Sequence, residues 1–259
     1  MAVKGSASKV MHVLSSLQVG GAERFVLDLS KVQIALGDTA SVFACSAEKE
    51  ALFEEANTQT SDCLLRSGSH LTDYKAVLAW FKQGDYKERV FHIHTPHGLR
   101  YFILLLPVLK LKGIKIVYTR HGMAPFIIKQ WKLIHRVSRF FVSCVTFVSD
   151  AGKEIFRQNH GWPDKMLNTI SNGVFVPKEV TRKTSEKIRL GSVGRMVGLK
   201  GQAHLITAVS QLDDSLRDKV EIHFFGDGPE GKVLKELAAN KLSAGQVIFH
   251  GMELDRDKV

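Results

Sequence analysis

A glycine-containing segment near the C-terminus places two cations where a diphosphate could bind. In "GSVGRMVGLKGQ" (191–202), Gly194 ends an apolar run, and Arg195 and Lys200 flank a loop just before a helical pattern. The backbone amides and positive dipole end of a helix N-terminus favour an anion, and two cations would add charge-assisted hydrogen bonds. The segment therefore indicates either a diphosphate-binding loop or an ordinary basic surface turn.

A second loop, "FFGDGPEGK" (224–232), matches the spacing G-x-G-x-x-G. A dinucleotide site normally uses the first βα turn of its unit and has an acidic residue about 20 positions later. Here the loop is the second such turn, and the next strand ends in His250 and Gly251. We therefore expect a loop that faces a phosphate or a sugar, with Pro229 as the first residue of the following helix.

The N-terminal half has its own glycine turn, in "SSLQVGGAERFVLDLSKV" (15–32). Gly20 and Gly21 stand between an apolar run and an amphipathic helical pattern, where glycine allows a sharp turn and a close approach to a ligand. An ordinary βα turn is the alternative interpretation.

The segment "HIHTPHG" (92–98) resembles the metal-binding spacing H-x-H-x-D-H through His92, His94 and His97. Pro96 occupies the aspartate position and cannot ligate a metal ion, and no carboxylate is nearby in sequence. We therefore expect no metal site here. His92 and His94 would share one strand face, which can equally place one of them in the core and the other at the rim.

The charge is unevenly distributed. The net charge is +10, and residues 1–176 hold 22 Lys/Arg against 14 Asp/Glu. No acidic residue lies between Glu88 and Asp150, where cations alternate with apolar residues, as in "FIIKQWKLIHRVSRFF" (126–141). This pattern suits an anionic membrane surface or a lipid-phosphate substrate, with a solvated basic face as the alternative. No nucleic-acid motif is present, so nucleic acid is not an expected partner.

The N-terminus is too polar for a signal peptide, and the longest apolar run, "YFILLLPVL" (101–109), is too short to span a membrane. The three cysteines form no C-x-x-C pair. Together these features predict a cytoplasmic location in a reducing compartment.

Short apolar runs alternate with helical patterns, which predicts parallel βαβ units and doubly wound α/β sheets. We predict an N-terminal domain at 1–176, a linker at 177–187 and a partial second Rossmann-like domain at 188–259. Because the second series has only three strands and two full helices, we expect a fragment or a missing half. The predicted helices lie near 48–57, 71–83, 98–111, 126–142, 151–161, 201–212 and 229–242.

The ordered motifs resemble the retaining, nucleotide-sugar-dependent glycosyltransferases of family 4, which have the GT-B fold. The matching segments are "GGAER" (20–24), "HIHTPHG" (92–98), "TRHG" (119–122), "VSD" (148–150), "ISNGV" (170–174), "GSVGRMVGLKGQ" (191–202), "FFGDGPE" (224–230) and "VIFHG" (247–251).

The resemblance implies a role for individual residues. Arg195 and Lys200 would bind the donor diphosphate and stabilise the leaving nucleoside diphosphate, and His121 would line the donor sugar. No metal ion or other cofactor would be needed. The implied donor-binding positions are Gly20, Gly21, Asn172, Gly173, Gly194, Gly226, Asp227, Gly228, Pro229, His250, Gly251 and Met252.

One departure from the family bears on activity. The family carries, further along, two glutamates separated by seven residues, one of which holds the nucleotide ribose. Glu253 follows "FHG" too closely to take that role, so donor binding by these 259 residues is a separate question from activity of the whole protein.

The resemblance thus implies transfer of a sugar from a nucleoside-diphosphate donor to a hydroxyl acceptor, with retention. The basic N-terminal domain adds the expectation that this transfer occurs at or near the inner face of the membrane. A lipid-linked or cell-surface polysaccharide precursor, such as one for lipopolysaccharide, is the expected acceptor. A nucleotide-sugar epimerase of the same fold is one alternative. An inactive binding module or half of a split enzyme is another.

Overall fold

The computed structural model describes residues 7–123, 128–175 and 185–253 of the chain. It divides into two compact units, Met1–Val176 (unit 1) and Pro177–Val259 (unit 2). Most of the predicted linker, 177–187, lies outside the described residues, which resume at 185.

Unit 1 contains a seven-stranded sheet in the order β3-β2-β1-β4-β5-β6-β7, and all neighbouring strands are parallel. Its strands are β1 (Ser8–Leu14), β2 (Thr39–Ala44), β3 (Cys63–Leu65), β4 (Glu88–Ile93), β5 (Lys115–Arg120), β6 (Cys144–Phe147) and β7 (Leu167–Thr169). Its helices are α1 (Gly21–Ala35), α2 (Phe53–Gln59), α3 (His70–Lys82), α4 (Pro96–Tyr101), α5 (Leu106–Leu111), α6 (Lys129–Ser138) and α7 (Asp150–His160).

Alternation along β1 divides the core of unit 1 into two layers. Met11 and Val13 pack into one buried cluster, whereas Leu14 packs into another with Val26 and Leu27 of α1. Successive side chains of a strand point to opposite faces of the sheet, so both faces of this parallel sheet are covered.

Unit 2 contains a three-stranded parallel sheet in the order β10-β9-β8. Its elements are β8 (Ile188–Val193), α8 (Gln202–Ser210), α9 (Asp214–Arg217), β9 (Val220–Phe225), α10 (Gly231–Lys241) and β10 (Val247–Gly251). The central strand β9 buries Val220, Ile222 and Phe224 against α8 and α10. Two parallel α/β sheets confirm the predicted fold class.

Three predicted helices differ from the structure. The predicted helix at 98–111 is two helices, α4 and α5, because Pro107 stands in the first turn of α5 and has no N–H to continue α4. The predicted helix at 48–57 is shifted to α2, Phe53–Gln59, and α6 is shorter than the predicted 126–142. Residues 126–127 of that prediction lie outside the described residues.

Within the described residues, no helix has both the length and the apolar character that crossing a membrane requires.

Candidate functional site

Two loops of unit 2 interlock through their backbones at the carboxyl edge of the small sheet. The first loop (194–201) follows β8, and the second (226–230) follows β9. The amide of Met196 donates to the carbonyl of Asp227 at 2.9 Å, and the carbonyl of Met196 accepts from the amide of Glu230 at 3.2 Å. These bonds hold the two loops in one fixed arrangement.

Glycine is required where the loops meet. Gly226 has φ = +130°, and a Cβ there would overlap the carbonyl of Gly194. A Cβ on Gly228 would overlap the carbonyl of Met196. The G-x-G spacing in this chain therefore serves the close approach of two backbones.

The two predicted cations both lie on the first loop, and both are exposed. No carboxylate among the described residues forms a salt bridge with Arg195 or Lys200. A Cβ on Gly194 would stand 3.7 Å from Cε of Lys200, so the lysine side chain extends alongside the end of β8. The side-chain amide of Gln202, at the start of α8, donates to the carbonyl of Arg195 at 3.3 Å and helps to fix this loop. Both charges are therefore available to an anion.

Glu230 also belongs to this loop pair, although the sequence analysis did not select it. A Cβ on Gly198 would lie 3.1 Å from Oε1 of Glu230, which places this carboxylate beside the first loop. Its position as the residue capping α10, next to the G-x-G motif, was the available signal. A ligand at the first loop would meet one negative charge as well as two positive ones.

The other predicted positions of unit 2 lie at the same edge. Asp227 accepts a hydrogen bond from the amide of Gly228 at 2.7 Å through its side chain. His250 stacks on Phe225 at a centroid distance of 4.1 Å, the carbonyl of Gly251 accepts from Gly226, and Met252 is exposed.

The prediction that Pro229 is the first helical residue is wrong. Helix α10 begins at Gly231, because a turn closed by the amide of Gly231 and the carbonyl of Gly228 precedes it. Pro229 lies inside that turn.

In unit 1, the glycine pair is the N-terminus of α1. Gly20 is extended and caps the helix, and Gly21 begins it. A Cβ on Gly20 would overlap the carboxylate of Glu23, which therefore folds back over this N-terminus, and burial raises the pKa of Glu23. Arg24 forms a salt bridge with Glu55 of α2. A phosphate at this N-terminus would have to displace the Glu23 carboxylate.

Four histidines of unit 1 form a connected cluster. His12 on β1 is the register partner of His92 on β4, and His94 follows β4 on the same face. Nδ1 of His12 lies 2.9 Å from Nε2 of His94, and Nδ1 of His94 lies 3.0 Å from Nε2 of His121. Burial lowers the pKa of His12 and of His121 to about 4, so these rings are neutral at neutral pH.

His92 and His94 lie on the same face of the sheet within this cluster, with His94 buried and His92 half-buried. His97 is exposed and packs edge-on against Trp131 at 5.3 Å. One ring nitrogen from each of His12, His92 and His94 lies within 4.8 Å of the others, a spacing that could hold a metal ion. Both ring nitrogens of His12 are hydrogen-bonded, one to His94 and the other to Gln33, so such an ion would have to replace one of these bonds.

A cleft of about 450 Å³ opens at the carboxyl edge of the unit 1 sheet. Ser15, Cys45 and Arg66 each directly follow a strand and line this cleft. The carboxylate of the buried Asp73 accepts from the hydroxyl of Tyr101 and from the amide of Ser67, which fixes one wall. The remaining lining residues are Gly68, His70, His97, Arg100 and Tyr101.

Asn172 and Gly173 follow β7 and are exposed, outside any helix or strand. A Cβ on Gly173 would meet no atom within 4 Å among the described residues. Their predicted role at the donor stays a prediction.

Comparison with protein families identifies the chain. The sequence model of Glycosyltransferase Family 4 matches residues 19–176, and that of Glycosyl transferases group 1 matches residues 176–259. The chain belongs to glycosyltransferase family 4. The resemblance stated from the sequence motifs is thereby confirmed.

The relatives of this family 4 chain described next are distant in sequence. An uncharacterized glycosyltransferase of Methanocaldococcus jannaschii is 27% identical over 162 residues, which cover 55% of this chain and 41% of that protein. HepE of Anabaena, solved with UDP-glucose, has a TM-score of 0.70 at 18% identity, covering 95% of this chain and 69% of HepE. A glycosyltransferase of Rickettsia africae has a TM-score of 0.71 at 20% identity, and the match covers 96% of this chain and 69% of that protein. These structural neighbours have the GT-B fold, and the family 4 chain spans less than half of its curated relative.

Replacement of Gly226 by alanine should destabilise unit 2. The new Cβ overlaps a carbonyl and lies on a residue with positive φ, so we expect the free energy of unfolding of unit 2 to fall by roughly 2–5 kcal/mol. All three tryptophans lie in unit 1, so hydrogen exchange of unit 2 peptides, followed by mass spectrometry, is the suitable measurement.

Gly191→Ala is the matched control, because a Cβ on Gly191 meets nothing within 4 Å. Equal exchange rates in the two variants would contradict the proposed close approach of the two loops.

Proposed function

We propose that this protein transfers a sugar from a nucleoside-diphosphate donor to a hydroxyl acceptor, with retention of the anomeric configuration. The observation that carries the proposal is the pair of exposed cations, Arg195 and Lys200, on a loop fixed by Met196 and Gln202. HepE, a structural neighbour, was solved with UDP-glucose, which supports a uridine diphosphate sugar as the probe donor.

The donor diphosphate is assigned to the first loop of unit 2. Arg195 and Lys200, which form no salt bridge within the described part of the chain, would supply charge-assisted hydrogen bonds, and the N-terminus of α8 that follows them adds a favourable dipole end. The N-terminus of α1 is a poorer phosphate site because the Glu23 carboxylate lies over it. We therefore assign the diphosphate to Arg195 and Lys200, and Gly20 and Gly21 to the backbone turn beside the reacting sugar.

Charge development explains why cations at this loop would accelerate transfer. The bond between the anomeric carbon and the diphosphate oxygen breaks, and the electron pair leaves with the diphosphate. Fixed cations stabilise this developing charge at no cost of reorganisation. We propose that no divalent metal ion is required, because Arg195 and Lys200 supply that charge.

Because the configuration is retained, we propose that the leaving phosphate itself acts as the base. The acceptor hydroxyl forms its new bond on the face from which the diphosphate departs, and its proton passes to the departing phosphate oxygen. The neutral His121 then serves to contact the donor sugar.

We propose that unit 1 binds the acceptor. The cleft lined by Arg66 and Arg100 suits an anionic group on the acceptor. A nearby helix adds a second feature, because α6 buries Trp131 and His135 and exposes apolar and basic residues together. We define the basic–apolar surface as Ile128, Lys129, Lys132, Leu133, Arg136, Val137 and Phe140, all of which are exposed.

This composition suits a membrane interface with anionic lipid. Lys110 donates to the carbonyl of Phe140 at 2.6 Å, which ties the end of this surface to α5. We propose a lipid-linked saccharide precursor as the acceptor, used at the cytoplasmic face of a membrane.

The double variant R195A/K200A should bind UDP and UDP-glucose much more weakly than the unmodified protein. Each charge-assisted hydrogen bond contributes about 1.5–3 kcal/mol, so we expect a loss of roughly 100-fold or more in Kd, measured by isothermal titration calorimetry. K219A/K241A is the control, since it removes the same charge from the opposite edge of the unit 2 sheet.

Unchanged affinity of R195A/K200A would overturn the assignment of the diphosphate. Conversion of UDP-glucose into another sugar nucleotide without acceptor would indicate an epimerase instead. Turnover that stops in EDTA and returns with a divalent ion would contradict the metal-free mechanism.

The protein should float with phosphatidylcholine vesicles that contain phosphatidylglycerol and not with vesicles that lack it. L133N/F140N should reduce recovery because it removes apolar contact, whereas L36N/L71N removes two exposed leucines elsewhere in unit 1 and should not. Equal recovery of the protein on both kinds of vesicle would refute the membrane part of the proposal. An equal fall in recovery for L133N/F140N and L36N/L71N would refute it too.

A further inference from the structure

The histidine cluster of unit 1 contains an unbranched chain of hydrogen bonds that begins at Gln33. Oε1 of Gln33, in the last turn of α1, lies 2.8 Å from Nε2 of His12. The chain continues from His12 to His94 at 2.9 Å and from His94 to His121 at 3.0 Å. Each of the two inner rings uses both of its nitrogens in this chain.

A neutral imidazole has one N–H and one lone pair, so a chain of neutral rings has a single direction. The carbonyl oxygen of Gln33 only accepts, and the proton of His12 is therefore on Nε2. Nδ1 of His12 then accepts from Nε2–H of His94, and Nδ1 of His94 accepts from Nε2–H of His121. Nδ1 of His121 is left with a bare lone pair.

The surroundings keep the rings neutral and in place. Burial lowers the pKa of His94 well below its ordinary value, as it lowers those of His12 and His121. His12 and His94 are almost fully buried, and Phe25 of α1 packs edge-on against His121 at 5.3 Å. No hydrogen-bond partner for Nδ1 of His121 occurs among the described residues.

We propose that Gln33, acting through His12 and His94, fixes the tautomer of His121 so that its Nδ1 accepts a hydrogen bond from a sugar hydroxyl. Gln33, His12 and His94 are positioning residues, and His121 is the residue that contacts the ligand. The identity of the ligand rests on the proposed function, whereas the tautomer is a property of the protein without ligand.

This tautomer has a consequence for the class of sugar. A lone pair accepts from a hydroxyl but repels a carboxylate, because a carboxylate has no proton to donate. His121 therefore selects a neutral sugar over a uronic acid at the position that it contacts.

Nitrogen-15 NMR of histidine-labelled protein, kept in EDTA, tests the tautomer directly. We expect Nδ1 of His121 to have the shift of an unprotonated nitrogen and Nε2 that of a protonated one, with the signals assigned by loss in H121N. A protonated Nδ1 in the unmodified protein would overturn the inference without the need for any variant.

Variants at Gln33 test the direction of the chain, and Gln33 is only half-buried, so they should be tolerated. In Gln33→Glu the side chain at position 33 can only accept a hydrogen bond, so the His121 tautomer should stay unchanged. In Gln33→Lys the side chain at position 33 can only donate a hydrogen bond. It should therefore reverse the direction of the hydrogen-bond chain and move the proton of His121 to Nδ1. An unchanged His121 tautomer in folded Q33K would refute control by Gln33.

Selectivity for the donor sugar gives the second readout. The ratio of the Kd for UDP-glucuronic acid to that for UDP-glucose should fall about tenfold or more in Q33K and stay constant in Q33E. A constant ratio in a Q33K protein with a reversed tautomer would refute the sugar contact.

The two proposals fail separately. Binding of UDP-glucose with a protonated Nδ1 on His121 would leave the proposed function standing and remove this inference. If His121 has the expected tautomer but the protein binds no sugar nucleotide, the tautomer assignment stands and the proposed function is refuted.

Discussion

Parallel strand pairing is the constraint on which the rest of this structure depends. In both units every paired strand runs in the same direction, so the last residue of each strand reaches the same edge of its sheet. Residues that are far apart in the sequence therefore become neighbours there. The cleft of unit 1 and the interlocked loops of unit 2 both arise at these edges.

The two units use this edge in different ways. In unit 2 the loops are held by backbone hydrogen bonds at Met196 and by glycines without room for a side chain, so the cations remain exposed. In unit 1 the same edge holds uncharged rings, because burial lowers the pKa of the histidines. A fixed positive charge suits an anion such as a diphosphate, whereas a neutral lone pair suits a hydroxyl, so the two edges offer different chemistry.

Helix α1 connects several of these features within unit 1. Its N-terminus carries the glycine pair and Glu23, its second turn presents Phe25 to His121, and its last turn presents Gln33 to His12. Its position is fixed by burial of Val26 and Leu27 and by the Arg24–Glu55 salt bridge. A change in this helix would therefore reach the proposed sugar contact without altering any residue that touches the ligand.

The sequence by itself determined the βα alternation, the basic character of unit 1 and the glycine loop with Arg195 and Lys200, because these depend on local periodicity, charge and spacing. Tertiary structure decided the rest. It brought His12 to His94, Gln33 to His12 and His94 to His121. Those contacts depend on strand register and on packing between residues that are up to 82 positions apart, which no local pattern encodes.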